Sequence, residues 1–216
     1  MKRALRWYDH VSINIFWLGI NVASGSITPV ILPYLVALFV SPEIKNTSLA
    51  TIRVVGLAVA MLVQPMAGMY SDRSTHRWGR RRPFILVGTL LNLLFLLIVG
   101  ASPLFVDSPL NQVTRAALGV GAAYVVLMVG IVLLQVSSNI GHGALQGLIP
   151  DLVPEEQRGR SSGVKAVMEL LPVFLVLFIG PLVDSGRVGV AIGIVRGAFL
   201  ITMLITLLAV HEEPLA

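Results

Sequence analysis

Between Asp9 and Glu43 the chain runs for 33 residues without an Asp, Glu, Lys or Arg. Three more such runs follow: 18 residues between Arg53 and Asp72, 24 between Arg82 and Asp107, and 35 between Arg115 and Asp151. A bilayer core about 30 Å thick is crossed by a helix of about 20 apolar residues. Two later apolar runs are long enough but hold charges: 161–183 contains Lys165 and Glu169, and 188–210 contains Arg196. The pattern predicts an all-α integral membrane fold. Its six helices fall near 13–40, 49–70, 84–102, 115–147, 161–183 and 188–210, numbered here as spans 1 to 6. With 56% hydrophobic residues and only 12% charged, a soluble enzyme and a disordered chain are both excluded. The absence of cysteine removes disulfides, thiolate metal sites and a Cys nucleophile.

The net charge of +5 does not mark a nucleic-acid binder, because the basic residues sit in short gaps between apolar runs. They set orientation instead. Lys2, Arg3, Arg6, the five arginines of 73–82, Arg158 and Arg160 make ten of the sixteen on one side. The other side holds Lys45, Arg53, Arg115 and Arg187. Both termini are therefore expected in the cytoplasm, in a multi-pass protein of the cell membrane. The first run is too long for a cleaved signal sequence.

A short internal repeat joins the two ends of this pattern. Gly68-Met-Tyr-Ser-Asp72-Arg73 closes span 2, and Gly180-Pro-Leu-Val-Asp184, with Arg187 beyond, closes span 5. With three helices per copy, 1–106 and 107–216 of a single domain would form a 3+3 inverted repeat, a common build for secondary transporters.

The stretch from Gly68 to Pro83, with Asp72, Arg73, Arg77, Gly79, Arg80, Arg81 and Arg82 at fixed spacing, resembles the loop between helices two and three of the major facilitator superfamily. Its ending Arg77-Trp-Gly-Arg-Arg-Arg-Pro83 is similar to the sucrose-transporter and glycoside–cation symporter branch. Ile149-Pro-Asp151 through Glu155, Glu156, Arg158 and Arg160 resembles that superfamily's loop between helices four and five. The resemblance implies a cytoplasmic gate at these residues. It also implies a twelve-helix fold of which this chain supplies the N-terminal half, the second half being either a like chain or a separate one. Ser161 and Ser162 are candidate caps for span 5.

Polar side chains recur at helical spacing inside two spans. Asn14, Trp17, Asn21, Ser24 and Thr28 share one face of span 1; Gln135, Asn139, His142 and Gln146 share one face of span 4. Such faces turn away from lipid, toward a cavity or a neighbouring helix. The resemblance implies that they line a substrate cavity, and amides with a Trp suit a neutral polyhydroxylated solute. Gln64 is the polar member of a small-residue stripe (Gly56, Ala60, Gly68) that otherwise reads as a packing seam. Glu169 and Arg196 each lie nine residues from a basic residue at opposite membrane edges, about 13 Å deep, so an ion pair between them is expected. Glu169 is alternatively a coupling-proton carrier.

No phosphate loop or nucleophile–base set appears. His10, His76, His142 and His211 lack a second ligand at metal spacing, so no metal, other cofactor or enzymatic reaction is expected beyond a coupling cation, H+ or Na+. The expected function is cation-coupled transport of a small polar solute, with lipid and that solute as partners and no nucleic acid. The alternative is a non-transporting assembly protein on the same fold, of the kind that serves pigment complexes. A six-helix channel has no filter-like motif to support it.

Overall fold

The computed structural model describes residues 4–210 and 212. Lys2, Arg3 and His211 fall outside the described residues. Every regular element among them is helical. Six helices are long and apolar enough to cross a membrane: Trp7–Phe39, Lys45–Asp72, Arg82–Phe105, Ala122–Leu152, Glu155–Asp184 and Val188–Ala209. These are spans 1 to 6, and they make this a multi-pass membrane protein.

Two expected boundaries move. Span 4 begins at Ala122, not near 115, because Leu110–Leu118 is a separate short helix. Gly119 ends that helix at φ 73°, a left-handed conformation that favours glycine. Asn111 then joins the two pieces: its Oδ1 accepts the Ala122 N–H at 3.0 Å. Span 5 begins before Ser161, so Ser161 is a buried in-helix residue and not a cap.

Span 1 contains a π-helical turn, Ile27–Ile31, with Pro29 inside it and Pro33 just after it, and both disturb the ladder. The Leu32 N–H bonds back to the Ile27 carbonyl, five residues away. The same pattern would pair the Thr28 carbonyl with residue 33, but Pro33 has no N–H. The Arg53 guanidinium of span 2 donates to that carbonyl instead, at 3.3 Å.

Span 1 packs on spans 5 and 6, span 4 on spans 2 and 3, and span 3 meets span 6. Exchanging spans 1, 2, 3 for 4, 5, 6 turns the 1–5 and 1–6 pairings into 4–2 and 4–3 and leaves 3–6 unchanged, the symmetry of a 3+3 repeat. An odd number of helices per copy makes the copies antiparallel. Glycines allow the closest crossings. A Cβ at Gly143 would lie 2.6 Å from the Gln64 carbonyl of span 2, and one at Gly88 would lie 2.6 Å from the Gly141 nitrogen of span 4. Gly180 meets nothing within 4 Å, so the sequence match with Gly68 does not extend to packing.

Spans 1 and 4 have 44% of their central window buried, whereas spans 2 and 5 have 11% and 17%. The two flanking spans therefore expose apolar side chains on more than one face, among them Leu57, Met61 and Leu62 on span 2 and Phe174, Leu177 and Phe178 on span 5.

Candidate functional site

The expected site residues that come together do so in two clusters. The first closes the basic end of the bundle. Asp151, at the end of span 4, receives Arg81 Nε at 2.8 Å and Arg80 Nε at 3.1 Å on the same oxygen, and its second oxygen pairs with the Arg80 guanidinium. Arg81 also pairs with Asp72 at the end of span 2 and donates to Ser71 Oγ at 3.4 Å. Its side chain is only 7% exposed, and Asp72's is 55% exposed. Charge-assisted bonds to two carboxylates let a guanidinium be buried here.

Space for Arg81 comes from Gly147, where a Cβ would strike the guanidinium. Gly79 turns the loop at φ +98°, and a Cβ there would strike the Glu212 side chain. Glu212 Oε2 accepts the Arg81 backbone N–H at 2.8 Å. Burial pushes the Glu212 carboxyl above the usual glutamate range; bonds from the Arg81 and Arg82 backbone and the Arg81 charge oppose this, and the Asp151 charge adds to it. Arg82 donates to the Leu207 carbonyl in the last turn of span 6, a favourable place for a cation. The loop thus ties together the ends of spans 2, 3, 4 and 6.

Arg73, Glu155, Glu156 and Arg158, expected in this cluster, stand apart from it, as does Gly68. Arg158 pairs with Glu155 at 3.4 Å and donates to the Pro150 carbonyl at 3.3 Å. Glu156 and Arg73 are exposed. Glu155 and Arg158 satisfy each other one turn apart, which leaves Asp151 as the acidic partner from this loop. The sequence reading missed Ser71, Gly147 and Glu212.

The second cluster lies about a third of the way along the spans from the basic end. Trp17, His142 and Lys165 each sit ten residues from the basic end of spans 1, 4 and 5, about 15 Å along each helix. The Trp17 and His142 rings meet edge to face with centroids 4.9 Å apart. The Lys165 ammonium stands 3.9 Å from the Trp17 ring centroid and 3.6 Å from Glu169 Oε1. Lys165 and Glu169 side chains are 30% and 38% exposed, whereas Trp17 beneath them is buried.

The expected Glu169–Arg196 pair is not formed. Glu169 pairs with Lys165 one turn away on its own helix, and Arg196 Nε is buried without a hydrogen-bond partner. Equal depth did not place the two side chains on facing sides of their helices.

The amide stripes divide. Asn14 is fully buried and donates to the His10 carbonyl at 2.8 Å and Ser161 Oγ at 2.9 Å, so it joins spans 1 and 5 and lines no cavity. Asn139 is 7% exposed and donates to the Gln135 carbonyl at 2.7 Å. Asn21 is half-buried and donates to the Trp17 carbonyl at 2.9 Å. Thr28 and Gln135 line one cleft, and Gln64 and Gln146, with Gly68, line another.

The sequence model of the family described as MFS/sugar transport protein matches residues 16–214, and the chain belongs to that family. Among curated relatives, a general alpha-glucoside permease of Schizosaccharomyces pombe is 30% identical over 78% of this chain and 30% of its own length. A sucrose transport protein of Arabidopsis thaliana is 35% identical over 50% of this chain and 19% of its own length. A sucrose transport protein of Oryza sativa subsp. japonica is 33% identical, again over 50% of this chain, and over 21% of its own. The chain thus spans less than a third of the length of each relative.

Proposed function

We propose that this chain forms one half of a secondary active transporter for a sugar or a similar small polar solute. It works by alternating access against a second six-helix half, either another copy or a separate segment. The observation that carries this reading is the Trp17–His142–Lys165–Glu169 cluster. A partly exposed lysine–glutamate pair rests on a buried indole, itself against a half-buried imidazole, inside the membrane-spanning segments, where ionisable groups are costly unless they serve a pathway. The buried indole holds the Lys165 ammonium in place, and the partly exposed Lys165–Glu169 pair offers hydrogen bonds to hydroxyls. The names of the relatives, sucrose and alpha-glucoside carriers, support the substrate class.

The sparsely buried spans 2 and 5 support the second half, which would cover them. Coupling to H+ or Na+ is assigned to Glu169 with Lys165, whose pairing competes with cation binding. The bundle end carrying Arg80, Arg81, Asp72 and Asp151 is assigned to the cytoplasm, and its ion pairs to a gate held in one conformation. Labelled sucrose or maltose uptake tests the reading, in vesicles holding this chain with its second half. Gradient-stimulated uptake that Trp17→Leu abolishes supports it. No sugar uptake under either gradient, with the protein correctly inserted, defeats it.

A further inference from the structure

Spans 2 and 3 both pack on span 4 and scarcely on one another. Glycine allows each approach: Gly143 of span 4 lies against the Gln64 carbonyl of span 2, and Gly88 of span 3 against the Gly141 nitrogen of span 4. Between spans 2 and 3 this leaves a trough of about 400 Å³. Val63, Met66 and Tyr70 line it from span 2, Phe84 and Val87 from span 3, and Ile140 from span 4. Apart from the Tyr70 hydroxyl, every side chain that lines it is apolar. Met66, Tyr70 and Val87 are exposed, so the trough opens to the outside of the bundle. Its face of span 2 lies about a third of a turn from Leu57, Met61 and Gln64, which line the neighbouring cleft. A second half seated on that cleft does not cover the trough.

The charge at one end of the trough says what fills it. Val63, Met66, Tyr70 and Arg73 follow one another at three, four and three residues, a single face of span 2 carried to its C-terminus. The loop that links span 2 to span 3 crosses the same end, and it carries Arg77 and Trp78. Arg80 and Arg81 of that loop turn inward to Asp151 and Asp72, and Arg82 turns to the Leu207 carbonyl. Arg73 and Arg77 remain exposed, and among the described residues neither side chain forms an ion pair or a hydrogen bond. The Tyr70 and Trp78 rings are exposed beside them, as aromatic side chains are at a membrane edge. Unpaired guanidinium groups above an apolar trough match a phospholipid, with its phosphate at the edge and its chain below.

We propose that the trough holds one acyl chain of an anionic phospholipid from the adjoining leaflet, and that Arg73 and Arg77 bind its phosphate. Arg73 and Arg77 thereby have a partner that the inward-turned pairs of the loop do not supply. The site does not depend on the sugar-transport reading.

Native mass spectrometry of the full chain in detergent counts bound lipid and reads its affinity. A basic residue near an anionic surface strengthens binding about fivefold, the equivalent of about 1 kcal/mol. Dioleoyl-phosphatidylglycerol is therefore expected to bind at one site about 25-fold more tightly than dioleoyl-phosphatidylcholine. Arg73→Gln and Arg77→Gln are each expected to cut that preference about fivefold, and together to abolish it. Both side chains are exposed and unpaired, so the fold does not rest on them. Arg115→Gln, at the opposite edge, is expected to leave the preference unchanged. Val87→Trp fills the trough from an exposed position and is expected to weaken binding of both lipids. Glycerol 3-phosphate, which has the phosphate without the chain, is expected not to displace the bound lipid. Equal binding of the two lipids, or a preference that survives the double arginine variant, overturns the proposal. Displacement by glycerol 3-phosphate would reduce the site to a phosphate position on the loop and overturn the acyl trough. Loss of the bound lipid on adding a second half would make the trough a protein interface and overturn it as well.

Discussion

The Lys165 ammonium lies 3.9 Å from the centre of the Trp17 ring, so a cation on span 5 rests on an indole of span 1. Such a contact is worth about 0.5–2 kcal/mol, more as water is excluded. It leaves Lys165 with two competing partners, the ring and Glu169. Glu169→Gln is therefore expected to change stability by about 1 kcal/mol or less, because the pair it breaks is partly exposed and Lys165 keeps the ring. In the complete transporter the same change is expected to abolish gradient-driven uptake while solute exchange continues. Unfolding in detergent and paired uptake and exchange assays check this. A loss of several kcal/mol would show instead that Glu169 holds a buried charge.

The arginine loop separates its two aspartates by their surroundings. Asp151 binds both Arg80 and Arg81, and its side chain is 18% exposed; Asp72 binds Arg81 alone from an exposed position. Asp151→Asn is expected to cost about 3 kcal/mol, since it weakens the bonds to a buried guanidinium. Asp72→Asn is expected to cost about 1 kcal/mol or less. Equilibrium unfolding of the two variants orders them, and equal losses would contradict the geometry.

Glu212 gives the same end a pH dependence. Its folded-state pKa is raised above 4.5 by burial. The native state then binds the proton more tightly than the unfolded state. The stabilisation from that proton is complete below pH 4.5 and is lost as pH rises through the folded-state value. Glu212→Gln, a neutral isostere, is expected to flatten this part of the stability–pH curve and to raise stability at neutral pH. Thermal unfolding of both forms across mildly acidic to neutral pH reads it, and parallel curves would refute it.

The glycine crossings make a paired test. Gly143→Ala is expected to destabilise by about 1–3 kcal/mol, because the new methyl meets backbone, which cannot step aside. Gly180→Ala has open space around it and is expected to be close to neutral or slightly stabilising. Unfolding measurements on both decide whether the span 2–span 4 seam has a counterpart at span 5.

Orientation is read by labelling this cysteine-free chain. A cysteine at Thr75 is expected to resist impermeant thiol reagent in intact cells, and cysteines at Asn46 and Gln112 are expected to react. Gln112 is preferred to its neighbour Asn111, because Asn111 holds the start of span 4. The reverse labelling pattern would invert the assignment of the arginine loop to the cytoplasm.

The spans were legible because an apolar run between charges is a local property of the chain. The start of span 4 was not, because Ala116 to Leu118 are as apolar as the span they precede, and the break lies in a backbone conformation at Gly119. The Arg81–Asp151 contact followed from two motifs at one membrane edge. The third carboxylate there, Glu212, lies 131 residues from Arg81 and carries no motif in the chain. Helical spacing placed Asn14 with Trp17 and Asn21, but periodicity gives only a shared stripe. Asn14 is covered because span 5 crosses at Ser161, and Trp17 is covered as well, whereas Asn21 on the same stripe is half-buried. Depth fails for the same reason at Arg196: it fixes position along a helix and says nothing of rotation about it.

Of these six spans, span 1 is made before the others but packs chiefly on spans 5 and 6. Thr206 Oγ1 donates to the Ser12 carbonyl across 194 residues, and Asn14 reaches Ser161 across 147. Chains emerge from the ribosome at about 5–20 residues per second, so span 1 waits on the order of ten seconds for its partners. Spans 2, 3 and 4 assemble meanwhile from neighbours already inserted. During that interval Asn14 and His10 have none of the cover that spans 5 and 6 will give them, and a nascent helix with uncovered polar groups is what insertion chaperones and quality-control proteases engage. A substitution that slows the arrival or docking of spans 5 and 6 would therefore register first as a shortage of protein in the membrane, before any change in what the finished protein does.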